Sequence, residues 1–176
     1  MAFITVGGNV VSFCEYDDCV SRDSRVFEAN EVIASAGLVD DADGFGERAT
    51  QKILYLIKDT SWWQSYFLLE DGGQTDVSTQ GLIDVPVPNA NKFKARQQDW
   101  TDLCTYMVFY EYLLPKIADF SNEDNAEYRK IGFYQTKFGE LFRKLIDAGD
   151  WYDFDGSGAI TNQEKMPTRV NLIRVR

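Results

Sequence analysis

SNEDNAEYRKIGFYQTKFGELFRKLIDAG, residues 121–149, decides the fold class. Within it Tyr128, Ile131, Tyr134, Phe138, Leu141, Phe142 and Leu145 recur three and four positions apart, the spacing of one apolar face on an α-helix. Ser121 or Asn122 is the expected N-cap. Glu123 and Asp124 follow in the first turn, where acidic side chains meet the positive end of the helix dipole. Gly149 stands where a C′ glycine closes a helix. A helix with one apolar stripe must bury it against another element, and the rest of the chain supplies more helices.

Working back from that helix, Arg96–Ala118 repeats the pattern with Leu103, Met107, Tyr110 and Leu114, and Trp100 stands at its start. Pro115 has no N–H to donate and is expected to kink or interrupt it. Further back, Phe45, Ala49, Ile53, Leu56 and Ile57 form a stripe after the acidic turn Asp40-Asp41-Ala42-Asp43. Thr60 or Ser61 can cap a short new helix leading into Trp62 and Trp63. Adjacent residues on a helix point different ways, so one tryptophan is expected in the core and the other at the surface to meet a partner. The earliest pattern, Asp23–Ala36, carries Val26, Ala29, Ile33 and Ala36, with Gly37 as its expected stop.

The connections differ in character. Met1–Tyr16 holds a Gly7-Gly8-Asn9 turn signal and predicts a short strand or an extended arm. Asp71–Arg96, rich in Gly, Pro and short polar residues, predicts a long projecting loop; the island Leu82–Val87 gives it the character of a β-hairpin arm, against the alternative of a plain surface loop. The tail, residues 165–176, ends in Arg169-Val-Asn-Leu-Ile-Arg-Val-Arg176. This basic strand could pair with a partner's sheet edge or acidic patch, or fold back on its own chain. The expected architecture is therefore a mainly α single domain over residues 1–176, a bundle of about four helices with a loop or hairpin arm and short terminal strands.

The chain has 176 residues, 44% of them hydrophobic and 14% aromatic, which suits one globular domain. Its net charge of −10 disfavours binding to phosphate backbones or anionic membranes. Cys14, Cys19 and Cys104 lack C-x-x-C spacing and read as three reduced thiols. No basic residue precedes Arg22 and no apolar run approaches membrane-spanning length, so the expected setting is an aqueous cytoplasm.

One segment has ligand chemistry in its spacing. Asp153, Asp155 and Ser157 occupy the first, third and fifth positions of a calcium-loop pattern. Gly158 makes the sharp turn at the sixth, and Ala159 offers its carbonyl at the seventh. Thr161 stands at the ninth, able to act through water, and Glu164 at the twelfth, where a bidentate carboxylate belongs. Met166-Pro167 follows too soon for an exit helix, and the loop is single, so a calcium ion here would be structural and no cofactor is required. The competing reading is a turn held by its own side-chain to backbone hydrogen bonds. Catalysis has little support: the sequence has no histidine and no nucleophile-elbow, Walker or dinucleotide-binding motif.

Val26-Phe-Glu-Ala-Asn-Glu31, Ala49-Thr-Gln-Lys-Ile-Leu54, Thr60-Ser-Trp-Trp-Gln-Ser-Tyr66 and the closing Asp-x-Asp-Gly-x-Gly turn resemble virion proteins of tailed bacteriophages, above all the head–tail connector or adaptor under the portal. The resemblance runs through most of the chain in element order. It implies a helical bundle that assembles with copies of itself into a ring, commonly a dodecamer, between the portal protein and the neck or tail-terminator proteins. DNA would pass through without sequence-specific contact. The chain would reside at the head–tail interface of the virion, after assembly in the host cytoplasm, with no membrane partner and no enzymatic activity. Alternatives are another neck or head-completion protein, although tail terminators are more β-rich, and a cytoplasmic calcium-binding regulatory protein.

Overall fold

The structure, a computed structural model, describes residues 3–28, 30, 31, 33–64, 85–121 and 125–165. It is mainly helical with one two-stranded antiparallel sheet. The N-terminal stretch is a hairpin: β1 (Ile4–Val6) pairs with β2 (Asn9–Ser12), Val6 opposite Asn9. The two turn residues, Gly7 at φ +59° and Gly8 at φ +84°, lie in the left-handed region that a two-residue hairpin turn demands.

Next come α1 (Tyr16–Arg22) and α2 (Ser24–Glu28). The helix expected over Asp23–Ala36 stops early. Asn30 is the cause: its side-chain amide donates to the Val26 carbonyl at 2.9 Å, a local bond that competes with another helical turn. Gly37 opens α3 (Gly37–Asp40) rather than ending α2. The next stripe is where the spacing puts it, as α4 (Phe45–Lys58), with Ala49, Ile53 and Ile57 fully buried and Leu56 at the exposed edge. Thr60 caps a helical turn at residues 61–64, accepting from the Trp63 N–H at 3.2 Å.

Helix α5 (Gln97–Met107) continues as a π-helical segment, Val108–Leu113, and closes with Leu114–Ile117. Pro115 therefore does not break the helix. The wider π turns precede it and absorb the missing donor and the ring's crowding. They also advance the inward face: Val108, Phe109 and Leu113 are fully buried, whereas Tyr110 is only half-buried. The last helix, α6 (Ala126–Ala148), is capped by the Asn125 side chain, which accepts from the Tyr128 N–H at 3.0 Å. Asn125 is not among the expected caps; Ser121, which is, instead bonds Asp119. Gly149, φ +56°, ends α6 by donating to the Leu145 carbonyl at 3.2 Å. Tyr134, Phe138 and Leu145 face inward, Leu141 and Phe142 are half-buried, and Tyr128 is exposed. No helix among the described residues is long and apolar enough to cross a membrane.

The loop and tail expectations fall largely outside the described residues: 71–84, including 82–84 of the island, and 166–176. So do Ala29, Asn122, Glu123 and Asp124. The described remainder of the loop, 85–96, has one 3-10 turn (Ala90–Lys92), and Val85–Val87 is not strand.

Contacts divide the chain into two compact units, Met1–Lys52 with Arg96–Lys144, and Ile53–Ala95 with Leu145–Arg176. The first is cross-tied at Phe13. Its N–H donates to Thr50 Oγ1 at 2.9 Å, and its carbonyl accepts from Thr101 Oγ1 at 2.8 Å. Its buried ring meets Phe3 at 4.7 Å and Trp100 at 6.1 Å. In the same unit Phe109 stacks on Tyr134 at 4.6 Å, and Lys130 and the Tyr134 hydroxyl both donate to Asp23.

The second unit is organised by aromatic rings. Trp151, fully buried, meets Trp62 at 4.8 Å and Phe93 at 4.9 Å, and its indole N–H donates to the Leu145 carbonyl at 2.7 Å. Neither adjacent tryptophan is left for a partner: Trp62 and Trp63 are 7% and 5% exposed. Trp63 turns away from Trp151, donates to the Pro86 carbonyl at 2.7 Å and lies against Tyr152 and Phe154. Aromatic rings thus enclose both faces of one short helical turn.

Candidate metal centre

The acidic loop begins at the ring cluster. Tyr152 forms an antiparallel bridge with Phe93, and the Asp153 N–H donates to the Lys92 carbonyl at 2.9 Å. Asp153 is thereby fixed at the base of the loop, 1% exposed. A buried carboxylate must be satisfied. One Asp153 oxygen accepts from the N–H groups of Gly156 at 2.8 Å and Ser157 at 3.1 Å, and the other from Gly158 at 2.8 Å. Gly156 and Gly158, at φ +74° and +87°, let successive N–H groups turn inward, which a side chain would resist.

Glu164 closes the loop from its far end, 7% exposed. One carboxylate oxygen accepts from Phe154 and Asp155 at 2.7 and 3.0 Å, and the other from Thr161 at 2.7 Å. Asp155, exposed, accepts from the Ser157 N–H at 2.8 Å. Carboxylate oxygens of Asp153, Asp155 and Glu164 lie within 4.8 Å of one another. Among the described residues they are the group of three or more acidic, cysteine or histidine side chains so gathered. The remaining pattern residues contribute less. The Ser157 hydroxyl donates to the Ala159 carbonyl at 2.9 Å, so those two potential ligands occupy each other, and Thr161 is tied to Glu164. Residues 162–164 make a single turn.

Two groups at the site had no signal in the sequence. Lys92 donates from Nζ to the Phe154 carbonyl at 2.7 Å and brings a positive charge toward Asp155. Tyr152 accepts through its hydroxyl from the Asn89 N–H at 3.0 Å. These partners are about 60 positions away in sequence, and no local pattern announces them.

The electrostatics favour ionised carboxyls. Donation from the Ser157 N–H, with the Lys92 charge nearby, holds the Asp155 carboxyl below the usual carboxylate range. Burial works against charge on Glu164, but donation from Thr161, Asp155 and Phe154 outweighs it and depresses that carboxyl too. A carboxyl depressed on folding contributes stability that is fully present above its unfolded value, 4.5 for Glu164, and lost as pH falls through the lower folded value. Glu164→Gln should therefore flatten the loss of thermal stability between about pH 5 and about pH 3. Equal slopes for wild type and variant would contradict this electrostatic account.

Chemically, the loop presents clustered, ionised, oxygen-only donors at one end of a rigid aromatic platform, the donor type that a hard divalent cation takes. It also holds itself through N–H donors and Lys92. Comparison of the chain with protein-family models, with curated proteins and with solved structures returns no match.

Proposed function

We propose that the protein is a structural component of a tailed-bacteriophage virion, one subunit of a ring between the portal and the tail, with no catalytic role. The observation that carries this reading is surface aromatic area on a mainly helical body. Phe120, Tyr128 and Phe133 are 62%, 44% and 55% exposed, and Phe120 meets Tyr128 edge to face at 5.9 Å. Exposed aromatic side chains are enriched where proteins associate. An acidic chain with a net charge of −10 also suits a channel wall that DNA must slide past without sticking.

A ring closes only if each subunit carries two different complementary faces. The aromatic surface supplies a candidate for one, and the basic segment Arg169–Arg176 a candidate for the other. Deleting Arg169–Arg176 should leave a folded chain that no longer joins heads to tails, seen by electron microscopy as DNA-filled capsids without tails. Normal tailed particles from that deletion would remove the segment from the docking role.

In this reading the acidic loop is a structural cation site. Millimolar calcium should raise the melting temperature relative to chelator. Asp153→Ala together with Glu164→Ala should abolish that difference. Equal melting temperatures for the wild type in calcium and in chelator would mean that N–H donors and Lys92 alone hold the loop, and would leave the ring assignment standing.

A further inference from the structure

Cys14 and Cys104 are 90 positions apart in sequence, yet their sulfurs lie 3.1 Å apart with both side chains buried. We propose that this pair is a redox modification site, at which a small-molecule disulfide converts the two thiols into a Cys14–Cys104 disulfide that ties the segment leaving β2 to α5. The balance is simple. One protein thiolate attacks the small disulfide, forming a mixed disulfide and releasing one small thiol. The second protein thiolate then attacks the mixed disulfide, forming the Cys14–Cys104 bond and releasing the other. The protein loses two protons and two electrons, and the small disulfide gains them.

Placement supports this assignment. Phe13, next to Cys14, is already anchored to Thr101 by the 2.8 Å bond to its carbonyl, and Cys104 lies one helical turn beyond Thr101. The two backbones are therefore held together before any covalent bond forms, and the sulfurs need to approach by only about 1 Å to reach bonding distance. Thr50 Oγ1 at 3.5 Å and the Gly46 carbonyl at 3.7 Å flank the Cys104 sulfur and position it further. Cys19 is also buried and neighbours the Cys14 thiol, but the 3.1 Å contact across the fold joins Cys14 to Cys104. Among the described residues the three cysteines belong to no group gathered closely enough for a metal ion.

The same environment sets the rate. The bond to Cys104 favours the Cys14 thiolate, but Cys19 and burial prevail and push that thiol well up; burial does the same at Cys104. Thiolate is scarce at neutral pH and both sulfurs are shielded, so exchange runs through transient local opening: the reducing poise of a glutathione-rich cytoplasm keeps the pair reduced, and an oxidising medium closes it slowly, faster as pH rises. On the virion reading above, the tie forms after release from the host; the chemistry itself does not depend on that reading.

The experiment treats the folded full chain with oxidised glutathione at mildly alkaline pH, blocks remaining thiols with an alkylating agent, and maps peptides by mass spectrometry. The expected result is one cross-link, Cys14 to Cys104, with Cys19 alkylated. The melting temperature should rise by on the order of 10 °C, given the long loop closed, and reductant should reverse it. Cys104→Ser should lose both cross-link and shift, and Cys19→Ser should keep both. If Cys104→Ser does not fold, Cys19→Ser, with only the two relevant thiols, carries the test alone. A cross-link through Cys19, a persistent glutathione adduct, three free thiols after prolonged treatment, or a cross-link that needs denaturant would overturn the proposal.

Discussion

Trp151→Ala lowers the stability of the second unit by about 3–5 kcal/mol, the range for removing a fully buried large aromatic side chain. Trp151 is completely buried between Trp62 and Phe93, and its indole N–H donates to the Leu145 carbonyl. Truncation opens a cavity among rings that have no other way to fill it and leaves that carbonyl near the end of α6 without the indole donor. It also loosens the platform of the acidic loop, because the Trp151 ring stacks on Phe93, which bridges Tyr152 at the base of that loop. In a chain of this length the melting temperature should fall by roughly 10 °C, read by thermal denaturation at neutral pH. A shift below about 2 °C would mean that the aromatic cluster is not the core of its unit.

Phe109→Ala has a comparable effect on the first unit, about 3–5 kcal/mol. Phe109 is fully buried in the π-helical segment, stacked on Tyr134 at 4.6 Å and edge-on to Phe27 at 6.0 Å. Tyr134 in turn donates to Asp23, to which Lys130 also donates, so the ring backs a half-buried polar junction. Burial and the neighbouring Asp23 push the Tyr134 hydroxyl far above its usual range, so it remains a donor at all ordinary pH values. The half-buried Tyr110, one residue on, provides the control: Tyr110→Ala should cost clearly less. Equal costs would mean that the inward face of the segment follows ordinary α-helical spacing and not the π register.

What the sequence made legible was local. Phe45, Ala49, Ile53 and Ile57 at helical spacing specify α4 because the stripe repeats at one period over several turns. Gly7-Gly8 and Gly149 mark their turns because each needs a left-handed backbone that other residues resist. The carboxylates of the acidic loop are gathered because the Asp-x-Asp-Gly-x-Gly spacing turns N–H groups inward on its own.

What escaped was decided by contacts distant in sequence or by competing bonds. Asn30 ends α2 by one side-chain bond that hydrophobic spacing does not reveal. The π segment shifts the buried face from Tyr110 to Phe109 and Leu113, although Pro115 marked the region as irregular. Trp62 and Trp63 are both enclosed because Trp151 and Phe154 wall the first and Tyr152 and Phe154 the second, and nothing near the tryptophans in sequence announces those walls. Leu141, on the expected stripe, is half-buried, and the fully buried Leu145 one turn later marks the inward face.

The ring proposed at the junction of head and tail would repeat this chain around the DNA channel. A cryo-electron-microscopy reconstruction of the neck of intact virions, with mass spectrometry of the same particles, tests it most directly. The account predicts helical density matching α4, α5 and α6, repeated around the channel immediately below the portal, and peptides of this chain in stoichiometric amount. Absence of the chain from purified virions, or its presence at any other location in the particle, would contradict it.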